Sequence, residues 1–172
     1  EYVTYKGVIR RKKEIVDAVR GISFTVRRGE IFGLLGQNGA GKTTTIKMLT
    51  TLLAPTSGIC KVFGCDSFGQ EKQIRKRINF IFGGEMGVYR RLSARDNLRY
   101  FGNLYLMDIQ DRERRIDEIL ELVDLTEAAD RLAETYSKGM IQRLQIARGL
   151  INHPEIIFMD EPTVGLDPLG AH

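Results

Sequence analysis

Gly36-Gln37-Asn38-Gly39-Ala40-Gly41-Lys42-Thr43 fills every fixed position of the pattern G-x-x-x-x-G-K-[ST]. The short apolar run Ile31-Phe32-Gly33-Leu34-Leu35 precedes it and reads as a buried parallel strand. A segment from Lys42 to about Leu52 follows and reads as a helix. Strand, glycine-rich loop and helix in that order are what a backbone phosphate cradle requires. Gly36, Gly39 and Gly41, with Asn38 and Ala40 between them, let the chain curl so that successive N–H groups point at an anion. The helix adds its positive N-terminal end. Lys42 brings a point charge to the β- and γ-phosphates. Thr43 offers a hydroxyl to Mg2+, and Thr44 a second one at the same helix end.

Such a loop needs a carboxylate for the metal. Ile156-Ile157-Phe158-Met159 is a second buried-strand run, and it ends in Asp160-Glu161. Asp160 is placed to bind Mg2+, directly or through water. Glu161 is placed to polarise the attacking water. The two motifs together describe a Mg2+-dependent nucleoside triphosphatase. No Asn-Lys-x-Asp guanine-reading motif is present, which argues against GTP.

Around these motifs, Ile22, Phe24 and Val26 alternate with polar residues, a half-buried strand pattern, and Arg28-Gly29 turns the chain. Pro55, Ser57 and Gly58 mark a loop. Gly58–Phe63 and Ile78–Phe82 read as further strands. Residues 93–151 are helical and heavily charged. Ser93 with Asp96 resembles a capping box opening a helix that runs towards Met107. Ile116, Ile119, Leu120 and Val123 form one amphipathic face. Met140, Leu144, Ala147 and Ile151 form another. Strands frame both ends and helices fill the middle, so the expected class is α/β with a helical subdomain over 93–151.

Length and charge set bounds on what the chain does. With 172 residues, one domain is expected. No apolar run reaches the ~18 residues of a membrane helix. No signal peptide is visible, and a start at Glu1 suggests an incomplete N-terminus. The formal +4 equals the excess of residues 1–13, so the basic balance belongs to one arm and no nucleic-acid partner is expected. Residues 72–99 carry eight basic and two acidic side chains; residues 108–134 carry four and ten. These stretches read as two solvated faces or as a positive patch near a partner. Cys60 and Cys65 have the wrong spacing for a CxxC pair and read as small buried thiols in a reducing compartment.

Between the acid-ended strand and the phosphate loop lies Tyr136-Ser137-Lys138-Gly139-Met140, followed by Ile141-Gln142-Arg143-Leu144; Gly165-Leu166-Asp167 comes after the acids. In this order and spacing the chain resembles the ATP-binding domain of an ABC transporter, over essentially its whole length. The signature reads YSKGM where the family usually has LSGGQ, a form that resembles ABC-2-type exporters of drugs, antibiotics and polysaccharides. The resemblance implies the P-loop NTPase fold of ABC ATPases, with an antiparallel β subdomain and a helical subdomain. It implies ATP and Mg2+ as ligands, and a head-to-tail dimer in which Ser137 and Gly139 meet the γ-phosphate held by a second subunit. Asp167 matches the loop that links the two sites. Tyr5, in Thr4-Tyr5-Lys6-Gly7, matches the aromatic that stacks on adenine; Tyr2 competes for that role, and Val8–Asp17 looks inserted. The implied partners are a second ATP-binding subunit and a membrane permease, at the cytoplasmic face of the membrane.

Two departures matter. The family has a Gln after the strand that precedes the helical part; here Gly83-Gly84-Glu85 stands there. Glu85 substitutes as a metal-side ligand, or the glycines make a hinge. The resemblance places this loop, with Tyr89-Arg90-Arg91, beside the membrane partner, and a coupling helix is expected to dock on that face. The family also continues beyond Asp167 to a switch histidine that neither His153 nor His172 matches. The chain is therefore expected to be a truncated ATPase domain with little turnover alone. Competing readings are a soluble ABC ATPase acting on ribosomes or DNA, and a regulatory nucleotide binder; YSKGM and the intact Lys42, Asp160 and Glu161 argue against them.

Overall fold

A computed structural model describes residues 2–6, 12–82 and 87–160. The chain divides into two compact units, Glu1–Ile74 and Arg75–His172. The helical stretch expected over 93–151 lies within the second unit.

In the first unit, β1 (Tyr2–Lys6) and β2 (Lys12–Val16) form an antiparallel pair with Tyr5 opposite Lys13. The basic arm is thus largely a hairpin. The phosphate-loop helix α1 spans Lys42–Leu49. It ends before Leu52 because Thr51 takes the left-handed conformation, with φ of 63°. β3 (Lys61–Val62) and β4 (Cys65–Asp66) make a short hairpin. Only two residues of the strand expected over 58–63 are paired. Phe63 and Gly64, both at positive φ, form the turn that ends it. Cys60 and Cys65 are half-buried free thiols, and Cys65 Sγ lies 3.3 Å from Gln73 Oε1. The short helix α2 (Glu71–Arg75) follows.

Two expected strands are absent. Residues 22–26 and 31–35 form no ladder with any described residue. Ile31 and Leu35, expected in a buried strand, are 101% and 94% exposed. The turn between the two segments is present, with Arg27 N–H donating to Glu30 Oε2 at 2.7 Å. Phe24 and Phe32 stack across it at 4.9 Å. Side-chain stacking alone does not make a strand. The ladder does, and an apolar run with no paired neighbour has no backbone reason to become one.

In the second unit, β5 (Ile78–Phe82) and β6 (Ile156–Asp160) pair in parallel, with Phe82 opposite Asp160. Between them come α3 (Ala94–Leu104), α4 (Ile109–Leu122), two 3-10 turns and α5 (Lys138–Leu150). The parallel pair needs this long crossover, and the crossover carries the main core. Leu98, Ile116, Ile119, Leu120, Leu144 and Ile151 are almost wholly buried there, which fits both amphipathic stripes. Ser93 caps α3: its Oγ accepts from Asp96 N–H and donates to Asp96 Oδ2. The helix stops at Leu104, short of Met107, and Leu106 sits at φ 55°. Asp108 caps α4 through the N–H groups of Gln110 and Asp111.

The opposite charges of the two polar stretches meet. Arg95 bonds Asp117 at 2.6 Å and Asp130 at 3.1 Å, and Arg99 bonds Glu113 at 2.8 Å. Arg77 pairs with Glu155. The basic stretch is therefore partly neutralised. Three of its eight cations are spent on carboxylates far along the chain. No helix among the described residues is long and apolar enough to cross a membrane.

Candidate functional site

The phosphate loop takes its shape from its glycines. Gly39 and Gly41 lie at φ 82° and 87°, a region that costs any other L residue strain. Gly41 is also closed in. A Cβ there would sit 2.3 Å from Ala18 O and 3.0 Å from Val19 Cγ2. Gly36 faces Ala40, whose Cβ would be 3.2 Å from an added one. Ala40 N–H closes a turn onto Gln37 O at 3.1 Å. Gly36 to Ala40, with Asn38 between them, are exposed, so the loop presents its backbone to solvent.

Lys42 opens α1, and its Nζ folds back to donate to Gly36 O at 2.7 Å and Gln37 O at 2.9 Å. The ammonium is held across the loop, where an anion on the helix N-terminus would meet it. The first N–H groups of any helix lack intrahelical partners, and here they open beside that ammonium. Thr43 is exposed at the mouth and Thr44 half-buried behind it. Thr45 is buried and anchors the turn from below, its Oγ1 bonding Gly41 O at 3.0 Å.

In the second unit, Ser137 is the N-cap of α5, and its Oγ accepts from Met140 N–H at 3.3 Å. Ser137, Lys138 and Gly139 are all exposed. A Cβ on Gly139 would meet nothing nearer than Ser137 Oγ at 4.0 Å, so this helix mouth is open too. Behind it the chain is fixed: Tyr136 is buried and its hydroxyl donates to Ala128 O. Asp160 ends β6. Tyr5 lies on β1, and only its backbone is described. Glu161, Asp167 and Gly83-Gly84-Glu85 lie outside the described residues.

The sequence reading missed several residues that shape the second unit. Asn97 is 1% exposed; its Nδ2 donates to Tyr89 O and Ser93 O, and its Oδ1 accepts from Tyr89 N–H. It fixes Tyr89 against α3. Arg148 is buried on α5 and donates to Gly87 O at 3.1 Å and Phe80 O at 3.2 Å. A signal existed: Arg148 falls in step with Ile141, Leu144 and Ile151, so a cation stands on the apolar stripe.

Comparison with known proteins bears on all of these. The bacitracin transport ATP-binding protein BcrA of Bacillus licheniformis is 45% identical over 153 residues, 89% of this chain and 49% of that protein. The ABC transporter ATP-binding protein NatA of Bacillus subtilis (strain 168) is 44% identical over 156 residues, 91% of this chain and 63% of that protein. The chain thus spans between about half and two thirds of these relatives' length. Among solved structures, cbiO1 of Clostridium perfringens, described as part of the ABC transporter complex cbiONQ, superposes with a TM-score of 0.80 at 28% identity. That superposition covers 89% of this chain and 62% of the other. The fold is that of ABC ATPase domains. A family model described as "ABC transporter" matches residues 19–164. That match starts at Val19, the residue that crowds Gly41, and runs past the acid-ended strand; the chain belongs to the ABC transporter family.

Proposed function

We propose that this chain is the ATP-binding and ATP-hydrolysing part of a transporter that drives export through a separate membrane subunit. The observation that carries this reading is Lys42. Its ammonium is held over an exposed glycine loop at a helix N-terminus, ready to exchange two carbonyls for phosphate oxygens. The export direction rests on likeness to BcrA and to the doxorubicin resistance ATP-binding protein DrrA of Mycobacterium tuberculosis, 42% identical over 151 residues.

In this reading Gly36, Asn38, Gly39, Ala40 and Gly41 wrap the phosphates and Tyr5 stacks on adenine. The exposed Thr43 hydroxyl is a hard oxygen donor of the kind Mg2+ takes, and Asp160 supplies a carboxylate. The metal, when bound, neutralises charge on the phosphates. Glu161 takes a proton from the water that attacks the γ-phosphorus, and the bond to the β-phosphate oxygen breaks. The open mouth of α5, with Ser137 and Gly139, meets the γ-phosphate on a second copy of the subunit, and Asp167 links the two sites. Closure on ATP and reopening after hydrolysis move the membrane subunit. That subunit docks at the cytoplasmic face, on the surface around Tyr89-Arg90-Arg91.

Glu161→Gln in the full-length protein tests this. ATP binding should persist, turnover should fall at least about a hundredfold, and an ATP-dependent dimer should accumulate in size-exclusion chromatography. Hydrolysis near the wild-type rate would remove Glu161 from the role of base.

A further inference from the structure

Arg148 is the exception among the semi-buried arginines of the helical layer. Arg95, Arg112 and Arg115 have side chains 22%, 13% and 18% exposed, and each pairs with a carboxylate. Arg148 is 8% exposed, and no carboxylate among the described residues pairs with it. Its hydrogen-bond partners are two carbonyls, Gly87 O and Phe80 O, and it lies 5.2 Å from the centre of the Phe101 ring. Carbonyls and a ring face satisfy donors without neutralising charge, and burial holds this guanidinium below the ordinary arginine range. The sequence makes room for it. A Cβ on Gly87 would fall 1.7 Å from Nη1 of Arg148.

The guanidinium lines a recess of about 170 Å3 with Asn79, Phe80, Phe101 and Tyr105. This space is too small for a nucleotide and suits one side chain. Three tyrosines stand at or near its edge. Tyr89, Tyr100 and Tyr105 are 46%, 39% and 37% exposed, and Tyr89 meets Tyr100 edge-on at 4.8 Å. Exposed tyrosines around a desolvated arginine match the composition of protein-interface hot spots. Arg95 and Arg99 of α3 are already paired with carboxylates, whereas Arg148 is the cation that lines the recess itself.

We propose that this recess receives an acidic side chain of the membrane subunit, whose carboxylate pairs with Arg148 while flanking apolar residues pack on the tyrosines. The inference rests on the docking face assigned under the proposed function and names the chemistry of its anchor. A guanidinium fork donates two parallel hydrogen bonds to a carboxylate, so the anchor fixes orientation as well as affinity.

The test uses the full-length protein with its membrane subunit in detergent. Each Asp and Glu in the subunit's cytoplasmic loops is changed to its amide, singly and combined with Arg148→Gln, and the dissociation constant is measured. One acidic position should weaken binding by at least about tenfold, as for a desolvated charge pair. Arg148→Gln should do the same, and the double variant should lose no more than either single one. The substitutions on the membrane subunit leave this chain untouched, and Arg148→Lys, which keeps the cation, should recover part of the affinity. Two results overturn the anchor: no acidic position couples to Arg148, or Glu85→Gln in this chain couples to it instead. If Tyr89→Ala and Arg90→Glu with Arg91→Glu also leave binding intact, the docking face itself falls. If they weaken it while Arg148 does not couple, only the anchor does.

Discussion

Gly149 lies against Ile81 with no room for a methyl group: a Cβ on the glycine would sit 2.5 Å from Ile81 Cγ1 and 2.7 Å from Cδ1. The end of α5 therefore rests directly on β5, with Asn79 Nδ2 reaching Asn152 Oδ1 at 2.8 Å beside the contact. Gly149→Ala should destabilise the fold by about 1–3 kcal/mol through overpacking. Urea unfolding measures it. Adding Ile81→Ala removes both crowding atoms and should return part of the loss; a double variant no better than the sum of the singles would place the cost elsewhere.

Gly41→Ala removes no group that touches a nucleotide. It does put a methyl 2.3 Å from Ala18 O and forces a non-glycine residue to φ 87°. ATP affinity of the full-length protein should fall at least about tenfold, near the effect of Lys42→Ala, if loop shape and ammonium matter alike. Titration with a fluorescent ATP analogue reads both. Full affinity in Gly41→Ala would mean that the loop binds phosphate in another shape.

Ser137 has two possible duties, and one pair of variants separates them. As an N-cap, Ser137→Ala should cost about 1 kcal/mol, as should Ser93→Ala on α3. Ser137→Asp keeps a good cap but sets a carboxylate at an open helix mouth. Thermal melts should show Ser137→Asp near wild type, while ATP hydrolysis by the full-length protein collapses if Ser137 meets phosphate as proposed. Retained hydrolysis would leave Ser137 a cap only.

Glu113 gives a pH signature. Hydrogen bonds from Arg99, and secondarily from Arg112, hold its carboxyl below the usual glutamate value of 4.5. The folded pKa is depressed, so the carboxylate adds stability above 4.5 that is lost as pH falls through the lower folded value. Glu113→Gln should flatten the stability profile below pH 4.5 and leave its shape near neutrality unchanged. Denaturant midpoints measured at several pH values check the slope.

The parts of the fold that could be read from sequence were those whose pattern and environment coincide. The stripe Ile116, Ile119, Leu120 and Val123 has helical spacing and lies against its own layer. Ile78–Phe82 and Ile156–Asp160 are apolar runs that find each other as parallel neighbours. Ile31–Leu35 has the same pattern without a paired neighbour among the described residues, and pattern does not report pairing. The charged stretches were legible only as sums. Counting along the chain cannot show that Arg95 meets Asp117 and Asp130, so a net charge overstates how many of its cations stand unpaired. Of the site, the phosphate loop was legible because its residues are contiguous. Arg148 was not, because its environment comes from β5, from Gly87 and from α3 at once.

The register that sets Phe82 opposite Asp160 has a mechanical consequence. Parallel neighbours lie about 4.8 Å apart, so β5 and β6 end one strand spacing from each other, at Phe82 and Asp160. Under the proposed function this edge makes a long relay unnecessary: a shift at the Asp160 end of β6 is felt at the Phe82 end of β5 as strain in a single ladder.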